Sequence, residues 1–279
     1  MKKMFPAIAE ELTAPAVMPE DYTGEDGLLY CGKCRTPKQA FFPEGKTLWG
    51  ADRHPTECNC QKAERIEREA IEKEQQHRKT VADLKKHCFG EDRTNNWTFA
   101  NDNGKTPQMG YAHLYAENWE KMRDENIGYL IWGRHDSGKS YLAACIANAL
   151  MEQEVSVCMK DMKFIVNALE ERFDGRNDYV ASLCRYPLLI IDDLGAERNT
   201  EAAQAHVFSV IDSRYRSRKP LIVTTNLHLD QLQNPTDMAH ARIYSRILEM
   251  CVPILCTGEQ NRKETAKKKM ETVQVLMNR

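Results

Sequence analysis

Residues 131–150 read IWGRHDSGKSYLAACIANAL. The stretch holds Gly-x-x-x-x-Gly-Lys-Ser at Gly133, Gly138, Lys139 and Ser140, after an apolar run and before an amphipathic one. In a strand–loop–helix setting, the loop amides and the first helical turn form an anion cradle of the kind that holds the phosphates of a nucleoside triphosphate. Gly133 and Gly138 would permit the tight wrap, with Arg134, His135, Asp136 and Ser137 between them supplying backbone amides. Lys139 would reach the β- and γ-phosphates, the Ser140 hydroxyl would bind Mg2+, and Tyr141 follows at the edge of the same set.

Outward from this loop the chain alternates. Strands are expected at 128–132, 155–159, 186–192, 220–225 and 252–256, separated by helices at 139–152, 161–173, 200–217 and 239–250. Such alternation implies an α/β fold, a parallel sheet with helices on both faces. The run LLIIDD at 188–193 is apolar up to two aspartates, as in a buried parallel strand that delivers carboxylates at its C-terminal end. Asp192 would hold the Mg2+ shell and Asp193 would polarise an attacking water. A second apolar strand, PLIVTTN at 220–226, ends in Thr225 and Asn226, which could orient that water or sense the γ-phosphate; Asn is equally common as a strand-end turn residue. In ARIYSRILEM (241–250), Arg242 and Arg246 lie four apart on one helical face. Such a pair is either a solvated surface or, offered to a neighbouring subunit's nucleotide, an arginine finger.

A different chemistry precedes this domain. Cys31-x-x-Cys34 and Cys58-x-Cys60 give two close thiol pairs, the number of ligands a tetrahedral Zn2+ takes, in a segment too poor in apolar residues to fold unaided. His54 is an alternative fourth ligand. The remaining cysteines, Cys88, Cys145, Cys158, Cys184, Cys251 and Cys256, sit in apolar contexts and read as core residues. Residues 61–87 contain neither Gly nor Pro and pair Glu64/Arg68, Glu69/Lys73 and Glu74/Arg78 with the acid first, which supports an exposed helical connector. The organisation expected is a flexible start (1–29), a zinc-binding module (30–60), a helical linker (61–94), the α/β domain (95–258) and a basic tail (259–279).

Composition sets the frame. The 279 residues are 42% apolar, enough for a real core, and Lys+Arg 39 against Asp+Glu 41 leaves a net charge of -2, so any nucleic-acid contact must come from a local patch. Two patches stand out: DSRYRSRKP (212–220) and the lysine-rich tail NRKETAKKKMETVQVLMNR (261–279), either of which could track the phosphates of single-stranded DNA or be a solvated face. No apolar run approaches the roughly 18–20 residues that span a bilayer, and prolines and acids interrupt the start where a signal peptide would continue apolar. A cytoplasmic location without membrane contact is expected.

The layout of P-loop, LLIIDDLGAE, a strand ending Thr-Thr-Asn and then RIYSRI before a last strand resembles the AAA+ ATPases. More narrowly it is similar to the DnaC/DnaI family of replicative helicase loaders, with the transposition ATPase IstB as close kin. The resemblance covers about 95–258. It implies that residues Gly133 to Ser140 bind ATP, that Asp192 and Asp193 form the Walker B pair, that Asn226 is sensor 1, and that Arg246 or Arg242 is the finger in ATP-bridged oligomers. It further implies a hexameric replicative helicase and single-stranded DNA as partners, with the zinc module docking on the helicase. Alternatives are an IstB-like regulator of a transposase and a non-catalytic adaptor switched by nucleotide. Two departures matter. Asp193 stands where many AAA+ proteins carry Glu, one methylene longer, which implies slow hydrolysis. The segment after the last strand is too short for the usual helical lid, a shortening the loaders share, and no sensor 2 residue is assigned.

Overall fold

The computed structural model describes residues 16–43, 47, 51–89, 93–102, 104, 106–258 and 261–277. The chain divides into two compact units, residues 1–78 and 79–279, and the division falls within one long helix.

In the first unit, β1 (Tyr22–Thr23) pairs antiparallel with β2 (Leu29–Tyr30), and β3 (Gln39–Phe41) with β4 (Arg53–Pro55). The described residues of this unit thus contain two short ladders. Its interior is small: Leu28, Cys31 and Cys58 are buried, together with the ion pair of Lys38 and Asp21, whose Nζ and Oδ2 lie 2.5 Å apart. Lys38 Nζ also donates to Ala16 O, and Gly32 N donates to Asp21 Oδ1, so neither charge is left unpaired. The helix α1 (Asn59–Phe89) follows. Glu74 pairs with Arg78 across one turn, as the acid-first spacing predicts.

In the second unit, α2 (Met109–Glu117) and α3 (Trp119–Asp124) lead into the alternating domain. The elements then run β5 (Gly128–Trp132), α4 (Lys139–Glu152), β6 (Val157–Asp161), α5 (Met162–Glu170), α6 (Arg176–Arg185) and β7 (Leu188–Leu194). They continue with α7 (Glu201–Arg216), β8 (Leu221–Thr225), α8 (Leu229–Gln233), α9 (Met238–Met250), β9 (Cys251–Leu255) and α10 (Asn261–Met277). The five strands form one parallel sheet in the order β6-β7-β8-β5-β9. The expected helix 161–173 ends at Glu170, and a second helix the sequence reading did not place, α6, fills the connection to β7. The basic tail is helical over 261–277.

A parallel sheet must bury both faces, which is why its central strands read as unbroken apolar runs. Successive side chains alternate between two cores: Tyr129 and Ile131 pack with Leu142, Ile146 and Leu150 of α4, whereas Leu130 packs with Ile165, Val207, Ile211 and Ile247 of α5, α7 and α9. Pro253 lies in β9, an edge strand, where a missing N–H is tolerated. Among the described residues no helix is long and apolar enough to cross a membrane. The topology brings the C-terminal ends of β5, β7 and β8 together, the place where open parallel sheets bind ligands.

Candidate functional site

The loop after β5 is shaped by two glycines that no other residue could replace. Gly133 has φ +147° and Gly138 φ +94°; a Cβ on the first would sit 2.4 Å from the Cys256 carbonyl oxygen, and on the second 2.8 Å from Thr106 Oγ1. The Cys256 amide donates to Trp132 O at 2.8 Å, so the chain leaving β9 walls the loop on one side. Helix α4 starts directly at Lys139, which leaves its first amides facing the loop.

Lys139 is only 5% exposed. Its ammonium donates to Gly133 O (3.2 Å), Arg134 O (2.8 Å) and Asn226 Oδ1 (2.7 Å). Burial pushes its pKa down, and the nearby Asp193 carboxylate is the largest influence opposing that. The Asn226 amide in turn reaches Asp193, with Nδ2 3.4 Å from Oδ1. One asparagine therefore links the loop lysine to the carboxylate at the end of β7.

The two aspartates lie on an irregularity. The β7–β8 register shifts between Ile191 and Leu194, and Asp193 takes φ +52°, a left-handed conformation that non-glycine residues rarely adopt. Asp192 Oδ1 accepts the Thr224 hydroxyl at 2.5 Å, and the Ser140 hydroxyl is near enough to favour this carboxylate's charged form. Burial pushes the Asp192 pKa up, while the Thr224 and Ser140 hydroxyls pull it back. Thus Ser140 and Asp192, expected to share Mg2+, lie near each other at the site. Thr225 does not offer its hydroxyl to the site: it is fully buried and donates to Leu194 O at 2.7 Å. A glycine-walled cradle, a buried ammonium and two adjacent carboxylates are the donor set that a triphosphate with Mg2+ requires, so the residues fit that pair.

The arginine pair separates in its surroundings. Arg246 is held within its own chain: Nε lies 2.9 Å from Asp212 Oδ1, Nη1 donates to Arg242 O at 2.8 Å, and the guanidinium lies 4.9 Å from the Phe208 ring and 5.7 Å from that of Tyr215. Arg242 is exposed and makes no side-chain hydrogen bond or ion pair among the described residues. The patch 212–220 needs correction as a surface. Arg214 within it is fully buried, and its guanidinium donates to the carbonyls of Cys184, Tyr186, Pro187 and Pro220. Desolvation lowers its pKa to about 10, and backbone carbonyls take the place of a counter-ion. Arg216 and Arg218 remain exposed.

In the first unit, Cys31, Cys34, Cys58 and Cys60 place their sulfurs all within 4.8 Å of one another. Cys58 and Cys60 flank the first residue of α1, whose Asn59 amide donates to Thr36 Oγ1, while that hydroxyl lies 3.0 Å from Cys34 Sγ. Thr36 holds the Cys34 pKa down to about 5, and Cys34 pushes Cys60 up to about 12. Four crowded thiols cannot all ionise unaided, and a divalent soft-ligand cation relieves that repulsion, so the set suits Zn2+. His54 is outside the cluster: its Nδ1 lies 3.1 Å from Pro55 O and its ring packs on Phe42. Of the other cysteines, Cys184 is half-buried and the remaining five are buried.

The family model for IstB-like ATP binding proteins matches residues 61–269. The chain belongs to this family. As an IstB-like protein it is similar to the uncharacterized protein YqaM of Bacillus subtilis (strain 168), 26% identical over 247 residues that cover 84% of this chain and 71% of that one. It is also similar to the replicative helicase loader DnaC of Escherichia coli (strain K12), 25% identical over 149 residues, 52% of this chain and 58% of the loader. The IstB-like chain thus spans somewhat over half of that loader's length. Among solved structures, the crystal structure of DnaI aligns with a TM-score of 0.48 at 23% identity, covering 64% of this chain and 92% of that one.

Sequence reasoning missed Thr224 in this IstB-like site, because a threonine inside an apolar strand reads as a β-former and nothing more. The left-handed backbone of Asp193 offered no signal either, since it follows from a register shift against another strand.

Proposed function

We propose that the protein is an Mg2+-dependent ATPase that delivers a hexameric replicative helicase to single-stranded DNA in the cytoplasm. The observation that carries the ATPase half is the chain of contacts from Lys139 through Asn226 to Asp193. In this reading the loop from Gly133 to Ser140, with Tyr141 beside it, binds the triphosphate, and Lys139 exchanges its loop carbonyls for phosphate oxygens. Ser140 and Asp192 would hold Mg2+, which neutralises charge on the phosphates. Asp193 orients and deprotonates the attacking water, and Asn226 keeps lysine and carboxylate in register. The side chain of Asp193 is one methylene shorter than glutamate, so turnover is slow. Arg242, exposed beside the internally engaged Arg246, is the arginine available to a neighbouring subunit's nucleotide.

The helicase half is supported by similarity to the loader DnaC and by the four-cysteine cluster, a Zn2+ site that would form a rigid module for docking on the helicase. Exposed Arg216 and Arg218, with the exposed Lys267 and Lys269 of α10, supply charge for the phosphates of single-stranded DNA. Co-purification of the full chain with its host's replicative helicase, with and without ATP, tests this half: a nucleotide-dependent complex is expected, and none under either condition would overturn it. Membership of the IstB-like family is compatible with a second reading, an IstB-like regulator of a transposase. Capture of a transposase in place of a helicase would establish that one instead. A third reading, an adaptor that binds nucleotide without turnover, would show ATP binding but no phosphate release.

A further inference from the structure

Buried in β8, Thr224 is a polar residue where the sheet calls for valine. It is 0% exposed, lies between β7 and β5, and follows Leu221, Ile222 and Val223, all fully buried. A buried hydroxyl is unfavourable unless both its hydrogen and its lone pairs are used. Here both are. The Thr224 hydroxyl donates to Asp192 Oδ1 at 2.5 Å and accepts the Asp193 backbone N–H at 3.0 Å.

The second bond exists because of the irregularity in β7. Where the β7–β8 register shifts between Ile191 and Leu194, the Asp193 amide finds its acceptor in a side chain, the Thr224 hydroxyl. The same residue carries φ +52°, a strained conformation that persists only where the surroundings impose it. Accepting from the amide also orients the hydroxyl, because the lone pair so used turns the O–H toward Asp192. A single oxygen atom thereby sets the carboxylate of one aspartate and the backbone of the next.

We propose that Thr224 is a positioning residue that fixes Asp192 and Asp193 relative to each other, so that the metal-facing and water-facing carboxylates are set by one hydroxyl. The inference rests on the ATPase reading above for its kinetic consequence only. The structural consequence needs no nucleotide.

Thr224→Val keeps the shape and removes the hydroxyl, whereas Thr224→Ser keeps the hydroxyl and removes a methyl. In the full chain, Thr224→Val should lower kcat for ATP about tenfold to a hundredfold, the loss of a hydrogen bond to a charged group, and raise the Mg2+ concentration needed for half-maximal rate. Thr224→Ser should restore most of both. A merely structural role would affect the two variants in the order of their packing defects, with serine the worse. Independently, amide hydrogen exchange of the nucleotide-free protein should be faster by about tenfold or more at Asp193 in the valine variant and near the parent rate in the serine variant. Unchanged exchange in Thr224→Val, or equal impairment of both variants, overturns the proposal. If the exchange result holds but the parent shows no turnover, the positioning stands and the ATPase reading fails.

Discussion

The two arginines of α9 should behave in opposite ways when removed. Arg246 contributes a partly buried ion pair with Asp212, whose side chain is 12% exposed against 25% for the arginine, and stacks on Phe208 and Tyr215. A half-screened pair is worth up to about 1 kcal/mol and a cation–π contact near the surface about 0.5–1 kcal/mol. Asp212 retains Arg216 as a partner, which limits the loss. Arg246→Ala should therefore destabilise the second unit by about 1–2 kcal/mol, a drop in Tm of about 2–8 °C for a unit of this size. Arg242→Ala, on an exposed residue, should shift Tm by less than about 2 °C. Thermal unfolding of nucleotide-free protein by circular dichroism reads this directly, and steady-state ATPase assays on the same samples complete the test. Arg242→Ala should bind ATP and fail to turn it over, and mixing it with Lys139→Ala should restore part of the activity, because the latter lends intact arginines to the former's intact P-loops. An Arg246→Ala protein that melts with the parent, yet loses turnover and regains it on mixing, would refute the assignment: Arg246 would then be the trans-acting residue and its contacts with Asp212 incidental.

Two other substitutions bear on the chemistry. Asp193→Asn should retain ATP affinity within about threefold and lose most hydrolysis, because the amide fits the same space but cannot take a proton; phosphate release and equilibrium binding measured together separate the two effects. Freshly purified protein should carry about one Zn2+ by elemental analysis, and Cys31→Ser or Cys58→Ser should remove it. The nucleotide site, built from the other unit, should bind ATP unchanged in those variants.

Much of the site was legible because its parts are local in sequence. Gly133, Gly138, Lys139 and Ser140 fall within one loop and the helical turn after it, and the apolar runs before Asp192 and Asn226 place one near the end of β7 and the other just after β8. The strands lie within two residues of the positions expected from hydropathy. What stayed hidden is set between distant segments. Arg214 looks like a surface cation in DSRYRSRKP, but the carbonyls that bury it come from residues 184–187 and 220, brought beside it only by the fold. The separation of Arg242 from Arg246 depends on Asp212 and Phe208 of α7, some thirty residues earlier. Helix α6 escaped notice because its face to the core is carried by little beyond Val180 and Leu183. In the cysteine segment, the spacing named the four cysteines that cluster, whereas the exclusion of His54 followed from its packing on Phe42.

Equilibrium binding of Mg2+·ATP to the parent and to Lys139→Ala tests the central claim most directly. Lys139 is a buried ammonium held by two loop carbonyls and Asn226, placed to trade those partners for phosphate oxygens. Loss of a charge-assisted contact of about 1.5–3 kcal/mol predicts affinity weaker by about tenfold to a hundredfold, with the fold intact by circular dichroism. Equal affinity in the two proteins, or no binding to the parent, would contradict the assignment of this loop as the nucleotide site.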